Sequence, residues 1–357
     1  MKRIVRDIFP GGNTPYGFFS YYDHILSQKD AEKIICIKGG PGVGKSTLMK
    51  SIAEHYINKG ETVDLFWCSA DPKSLDGVLL KERNISIIDG TAPHIIDPRN
   101  PGAVDEIIDL ARYLDKDRLK KEKEDVIECN NQISERYKSA YTYLKRAKVI
   151  YDRMADILNR CDNGNKKDFK DTLGWLDKRN MTCGRRKKFF AEAITSDGIK
   201  SFIGNLATNI EKVYIIKAPM GYTHSDALKK ISYIFMNAGY DVEEFYSPLE
   251  PSEKVEHIIS ADAGIGLFTV SDNKDMDMFK EGNICSIYET TMDSEISSYE
   301  KDIYDRMKNE VMEDIYKSIE FLDEAKKLHD ILESYYIKNM DFSMIDGVRK
   351  EIITQIS

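Results

Sequence analysis

Two tandem α/β domains, each built on a parallel sheet and each carrying a long helical arm, are predicted from three observations on this 357-residue sequence. The chain repeats itself at a nearly constant spacing. Each copy contains a short apolar run, a loop and an amphipathic helix, and each ends in a long stretch of apolar residues at heptad spacing. The length agrees, being long for one core and comfortable for two.

The repeat is read directly. With an offset of 179, Ile37 and Lys38 match Ile216 and Lys217, Gly42 matches Gly221, Ser46 matches Ser225, and Gly60, Phe66 and Pro72 match Gly239, Phe245 and Pro251. Upstream, FPGGNTPYGFFS (9–20) aligns with FAEAITSDGIKS (190–201). Downstream, YKS at 137–139 returns at 316–318, and Leu144 and Ala147 return one residue closer as Leu322 and Ala325. A duplicated and fused domain accounts for this, with residues 1–180 as the first copy and 181–357 as the second. Such halves usually pack about a pseudo-twofold axis, as a homodimer would.

Within each copy, IICI and VYII are continuous apolar runs that read as buried strands. Met49, Ile52, Ala53 and Tyr56 then fall on one helical face, and Gly60 and Gly239 suit the position just past a helix end. VDLFWC and VEEFYS read as second strands, ISIID and GIGLF as third. Strands joined through helices imply a parallel sheet. From Ile133 onward, Tyr137, Ala140, Leu144, Ala147, Tyr151, Met154 and Leu158 step by four and three, which is a heptad stripe. Val311, Ile315, Ser318, Leu322, Ala325, His329, Leu332 and Tyr336 repeat it, diluted by Ser318 and His329. Helical arms are therefore expected at about 103–160 and 295–340, packed against their own domain, against each other, or against a second molecule or protein partner.

The loop between the first strand and helix carries the chemistry. GGPGVGKS, Gly39 to Ser46, fits G-x-x-x-x-G-K-[ST] in the strand-loop-helix setting that the motif requires. Gly39, Gly40, Gly42 and Gly44 let backbone N–H groups turn inward as a phosphate cradle, with Pro41 and Val43 between them. Lys45 supplies a cation to the β- and γ-phosphates, Ser46 a hydroxyl to Mg²⁺, and Thr47 lies in the first helical turn, at the positive end of the dipole. Each half is thus P-loop NTPase-like in layout, but the second has lost the residues that hold phosphate. Gly39, Gly40, Gly44 and Lys45 are replaced by Ala218, Pro219, Thr223 and His224, and a histidine is mostly neutral at pH 7. His224 reads as the relic of a decayed site.

Mg²⁺ also needs a carboxylate at the end of a neighbouring strand. Asp89 meets that need, and Thr269 replaces it in the second copy, so carboxylate and lysine vanish together. Asp71 and Asp76, after the second strand, are rivals for the metal, and His94 is a candidate to face the γ-phosphate. Gly90 and Thr91 follow Asp89 where many hydrolysing motors place a water-activating glutamate, so slow turnover is expected.

Bulk properties narrow the partners. A net charge of −8 argues against a general nucleic-acid binder, and no apolar run approaches the roughly 20 residues that span a bilayer. MKRIVRDIFPGG lacks the apolar core of a secretory signal, so a cytoplasmic protein is expected. Six cysteines at 36, 68, 129, 161, 183 and 285 form neither C-x-x-C pairs nor metal-ligand clusters and read as reduced thiols.

At GGNT, KGGPGVGKSTLMK, CSADPKSLDGV and IIDGTAPHIIDPRNPGAVDEIIDL the sequence resembles an uncharacterised bacterial family of duplicated (tandem) P-loop ATPases. The resemblance covers both halves and implies ATP binding at Gly39 to Thr47. In that family the second half often keeps a P-loop of its own, and this chain departs at Ala218 to Ser225. The expected function is Mg·ATP binding at one competent site, Lys45 and Asp89 being the catalytic pair and Ser46 and Asp89 the metal ligands. The alternatives are a small-molecule kinase, with an acceptor held near Asp71, Asp76 and His94, and a nucleotide-gated interaction protein whose output is the arms.

Overall fold

The computed structural model describes residues 4–91, 96–160, 179, 182–271, 273–279, 283–290 and 297–356. The first half runs through β1 (Val5–Ile8), a hairpin of β2 (Gly11–Thr14) and β3 (Gly17–Ser20), β4 (Lys33–Lys38), α1 (Lys45–Asn58), β5 (Val63–Trp67), β6 (Leu75–Leu80), β7 (Ile85–Asp89) and β8 (Asp105–Asp109). The short α2 (Lys116–Leu119) leads into the arm, α3 (Lys123–Arg160). The second half opens with β9 (Arg186–Phe189), a hairpin of β10 (Glu192–Thr195) and β11 (Gly198–Ser201), and the short α4 (Ile203–Ala207). It continues through β12 (Lys212–Lys217), α5 (Ser225–Asn237), β13 (Val242–Ser247), β14 (Glu250–Ser260), β15 (Ile265–Val270) and β16 (Ile284–Glu289). The second arm, α6 (Ser298–Ile337), and α7 (Ile345–Ile356) close it.

Each half forms a six-stranded sheet with the same order, β1-β5-β6-β7-β4-β8 and β9-β13-β14-β15-β12-β16. The sheets are mixed, which corrects the wholly parallel expectation. β6 runs antiparallel between β5 and β7, and β14 between β13 and β15. Chain length explains it: Trp67 and Leu75 are too close for a parallel crossover, which takes a dozen or more residues, so the strand after β5 must come straight back. A second correction concerns the first arm, which starts at Lys123 and not near 103. Residues before it include β8, where Ile34 to Lys38 of β4 pair with Asp105 to Asp109.

The duplication is also an interface. Phe9 and its sequence counterpart Phe190 exchange two backbone hydrogen bonds, N–H to O at 3.1 Å and 3.0 Å. A residue paired reciprocally with its own equivalent lies on a twofold axis. Beside it, the buried Arg6 guanidinium donates to Asp64 and to Glu243, counterparts in the two halves, at 2.6–2.8 Å. Burial pushes both carboxyls up and the Arg6 cation more than reverses this, leaving them below the usual carboxylate range.

The arms pack antiparallel. Cys129 Sγ meets Leu328 O at 3.2 Å, Arg136 pairs with Glu324 at 2.7 Å, and Arg146 pairs with Asp314 at 3.2 Å. Heptad residues Ala140, Leu144, Ala147, Val311, Ile315 and Leu322 are buried along the seam. Antiparallel packing sends each arm's end to the other half. Met154 and Leu158 of α3 join Ala218 and Tyr222 of the second half, while Met340 and the α7 residues Val348, Ile352 and Ile356 join Leu48, Ile52 and Tyr56 of α1. One ion pair repeats across the exchange: Lys326 lies 3.6 Å from Asp71 and also pairs with Asp330, and its counterpart Lys148 lies 3.1 Å from Glu250 and pairs with Asp152.

Residues 1–180 alone lack α7 and leave the apolar face of α1 uncovered, so that fragment is expected to dimerise or aggregate, as light scattering would show. In the full chain, Arg6→Ala leaves buried Asp64 with Lys81 at 3.4 Å and takes the Arg6 cation from part-buried Glu243, and it is expected to cost about 3 kcal/mol of stability. Denaturant melts of the variant check that figure, and a loss below about 1 kcal/mol would count against the role given to this cluster.

Candidate functional site

β4 carries the chain out of the sheet at Lys38, and α1 begins at Lys45, so the loop between them is fixed at both ends. Two left-handed steps turn it. Gly42 has φ 68° and Gly44 has φ 91°, conformations that a Cβ penalises. Lys45 Nζ folds back to donate to Gly39 O at 3.1 Å and Gly40 O at 2.7 Å, and it lies 3.6 Å from Asp89 Oδ2. Ser46, in the same helical turn, accepts from Leu75 N–H through Oγ at 2.9 Å. Lysine, hydroxyl and carboxylate therefore converge on one loop.

Asp89 reaches it because β7 is the direct neighbour of β4, with Ile37 opposite Asp89. Its Oδ1 accepts from Thr91 N–H at 2.8 Å, and Thr91 Oγ1 donates to Gly39 O at 2.9 Å, tying the strand end to the loop. Burial pushes the Asp89 carboxyl up, and the Lys45 cation offsets part of that.

The antiparallel β6 adds a second carboxylate. Gly77 pairs with Ile88, so the next step along the ladder brings Asp76 beside Asp89. Tyr22 donates its phenolic hydrogen to Asp76 Oδ2, and burial drives the Asp76 carboxyl up to about 7 against that hydrogen bond. Asp71 stands elsewhere. It accepts from Lys73 N–H at 3.1 Å and from Ser74 Oγ at 2.9 Å and faces Lys326 of the arm, which makes it a turn former and an inter-half contact. His94 lies outside the described residues. Burial pushes the Cys36 thiol up to about 11 and raises that of Cys68 as well, so both stay protonated, as packing residues would.

In the second half the loop keeps its first left-handed step, Gly221 at φ 90°, and loses the second, since Thr223 has no positive φ. His224 is buried with Nε2 3.0 Å from Thr290 Oγ1, in the domain interior. Ser225 Oγ accepts from Val255 N–H at 2.9 Å, as Ser46 Oγ does from Leu75 N–H, and in addition donates its hydrogen to Glu253 O at 3.1 Å. Where the first half has Asp89, Thr269 N–H donates to His257 Nδ1 at 3.1 Å; burial lowers this histidine to about 3. A neutral His257 with Nδ1 so occupied carries its proton on Nε2. In that tautomer neither ring nitrogen offers a free lone pair to a metal ion beside Glu192 and Glu256.

Sequence reasoning missed the residues that come from far along the chain. Tyr336 packs on Gly40; a Cβ at Gly42 would meet Ile337 Cγ1 at 2.9 Å and Glu333 O at 3.0 Å; and Phe342 lies over Gly44. The equivalent contacts in the second half run from Met154, Ala155 and Leu158 to Gly221. Only the heptad stripe hinted at them, because it marked which face of each arm is buried.

The Asp76 carboxyl gives a pH test. The folded state holds a proton that the unfolded state releases between about pH 4 and 7, so this group lowers stability as pH rises through that window. Asp76→Asn is expected to remove up to about 1.4 kcal/mol per pH unit of that slope. Thermal melts of wild type and variant from pH 4 to 8 measure it, and parallel curves would contradict the assignment.

No helix among the described residues is long and apolar enough to cross a membrane. Compared with known proteins, the chain matches the family model described as Nephrocystin 3, N-terminal, over residues 20–80, a span that holds β4, the glycine-rich loop, α1, β5 and β6. No curated protein and no solved structure matches the chain.

Proposed function

We propose that the chain binds Mg·ATP at a single P-loop site, Gly39 to Thr47, and hydrolyses it slowly. The observation that carries this reading is that Lys45, Ser46 and Asp89 meet at the end of a loop turned by glycines at positive φ, a set of groups suited to phosphate oxygens and one divalent cation. In this reading Lys45 neutralises the β- and γ-phosphates, and Ser46 and Asp89 hold Mg²⁺, which supplies charge stabilisation at the transferred phosphoryl group. Thr91 keeps Asp89 aimed at the loop, and slow turnover follows from the absence of a glutamate after Asp89. The second half, with His224 turned into the interior, is a structural or regulatory partner.

A second reading, a nucleotide-gated interaction protein, is favoured by the packing of Tyr336 and Glu333 on Gly40 and Gly42. A change in the loop on nucleotide binding would be felt by α6 directly, and α6 is packed along α3.

Lys45→Ala is expected to weaken Mg·ATP binding by roughly a hundredfold, the loss of about 3 kcal/mol of charge-assisted contact, while His224→Ala leaves it unchanged. Asp89→Asn is expected to weaken binding with Mg²⁺ far more than without it. Isothermal titration of the three variants with and without Mg²⁺ decides both points. Two nucleotides bound per wild-type chain, or equal damage from Lys45→Ala and His224→Ala, would contradict the single-site reading.

A further inference from the structure

We propose that the base of the bound nucleotide stacks on Phe342, so that the C-terminal half supplies the base-binding wall for the phosphate loop of the N-terminal half; this rests on reading that loop as a triphosphate site. A triphosphate held by the loop with its α-phosphate at the start of α1 would carry ribose and base outward past Gly44, the residue that caps the helix. Phe342 stands at that edge, its ring 3.5 Å from where a Cβ on Gly44 would lie.

The ring is both available and held. Phe342 is 43% exposed, and its chain neighbours Ile337 and Met344 are 46% and 45% exposed, so one short turn after α6 presents an apolar surface beside the loop. That turn is fixed to the first half through its backbone. Asp115 N–H donates to Asn339 O at 2.8 Å, Asp341 N–H donates to Tyr113 O at 3.1 Å, and Met340 is buried in the core with α1. A single exposed aromatic is ordinary on a protein surface. A rigid one at the open edge of a phosphate loop is a preorganised stacking platform, and its flat face suits any nucleobase.

The test compares ligands with and without a base. Mg·ATP and Mg·tripolyphosphate are titrated into wild type, Phe342→Ala, Phe342→Trp and Lys45→Ala. Phe342→Ala is expected to lose about tenfold in ATP affinity with tripolyphosphate affinity unchanged. Phe342→Trp should keep ATP binding and show indole quenching on saturation, and Lys45→Ala should lose both ligands. Wild-type affinities for ATP in a Phe342→Ala variant would overturn the proposal, as would equal losses for ATP and tripolyphosphate, which would mean that Phe342 only props the loop. A wild type that binds neither ligand would overturn the triphosphate site itself.

Discussion

Everything else in this molecule depends on the antiparallel contact between α3 and α6. Because the helices run in opposite directions about the axis marked by Phe9 and Phe190, the end of each must arrive over the loop of the other half. The hydrophobic seam of Ala140, Leu144, Val311, Ile315 and Leu322 supplies the driving force, and the charge pairs at Lys148 and Lys326 set the ends in matching positions. Each sheet is complete within its own half, but the layer over it is not. α1 is covered by α7 from the far end of the chain, which makes the two halves one folding unit in practice.

Within that symmetric frame the two loops have diverged. Gly44 and Lys45 give the first loop its second left-handed step and its cation, whereas Thr223 and His224 end the turn early and send the ring inward. The carboxylates follow the same division: Asp76 and Asp89 stand beside Lys45, and in the second half Thr269 offers only a backbone N–H to His257. Divergence at the loops with conservation of the inter-half contacts is what a fused homodimer would show if one site kept its chemistry and both arms kept their structural task.

Much of this was legible in the sequence. The offset of 179 marked the duplication, and the motif from Gly39 to Ser46 marked the loop that the structure brings against Asp89. The antiparallel β6 and β14 were hidden because an apolar run carries no record of strand direction, which here is set by the short connection after β5. The expected arm reaches back into β8 because Ile107 and Ile108 fit a helix face as readily as an edge strand. Tyr22 and Phe342 carry no local signal, and the heptad stripe marks Tyr336 only as buried; their positions come from the axis and the exchange of arms, which only the folded chain specifies.

Hydrogen exchange of the full-length chain, followed by mass spectrometry with and without saturating Mg·ATP, tests the central claim that one site is shared between halves. Slowed exchange is expected at 39–47 and, in the same experiment, at 333–344, with 218–225 unchanged. Protection confined to 39–47, or equal protection at 39–47 and 218–225, would contradict it.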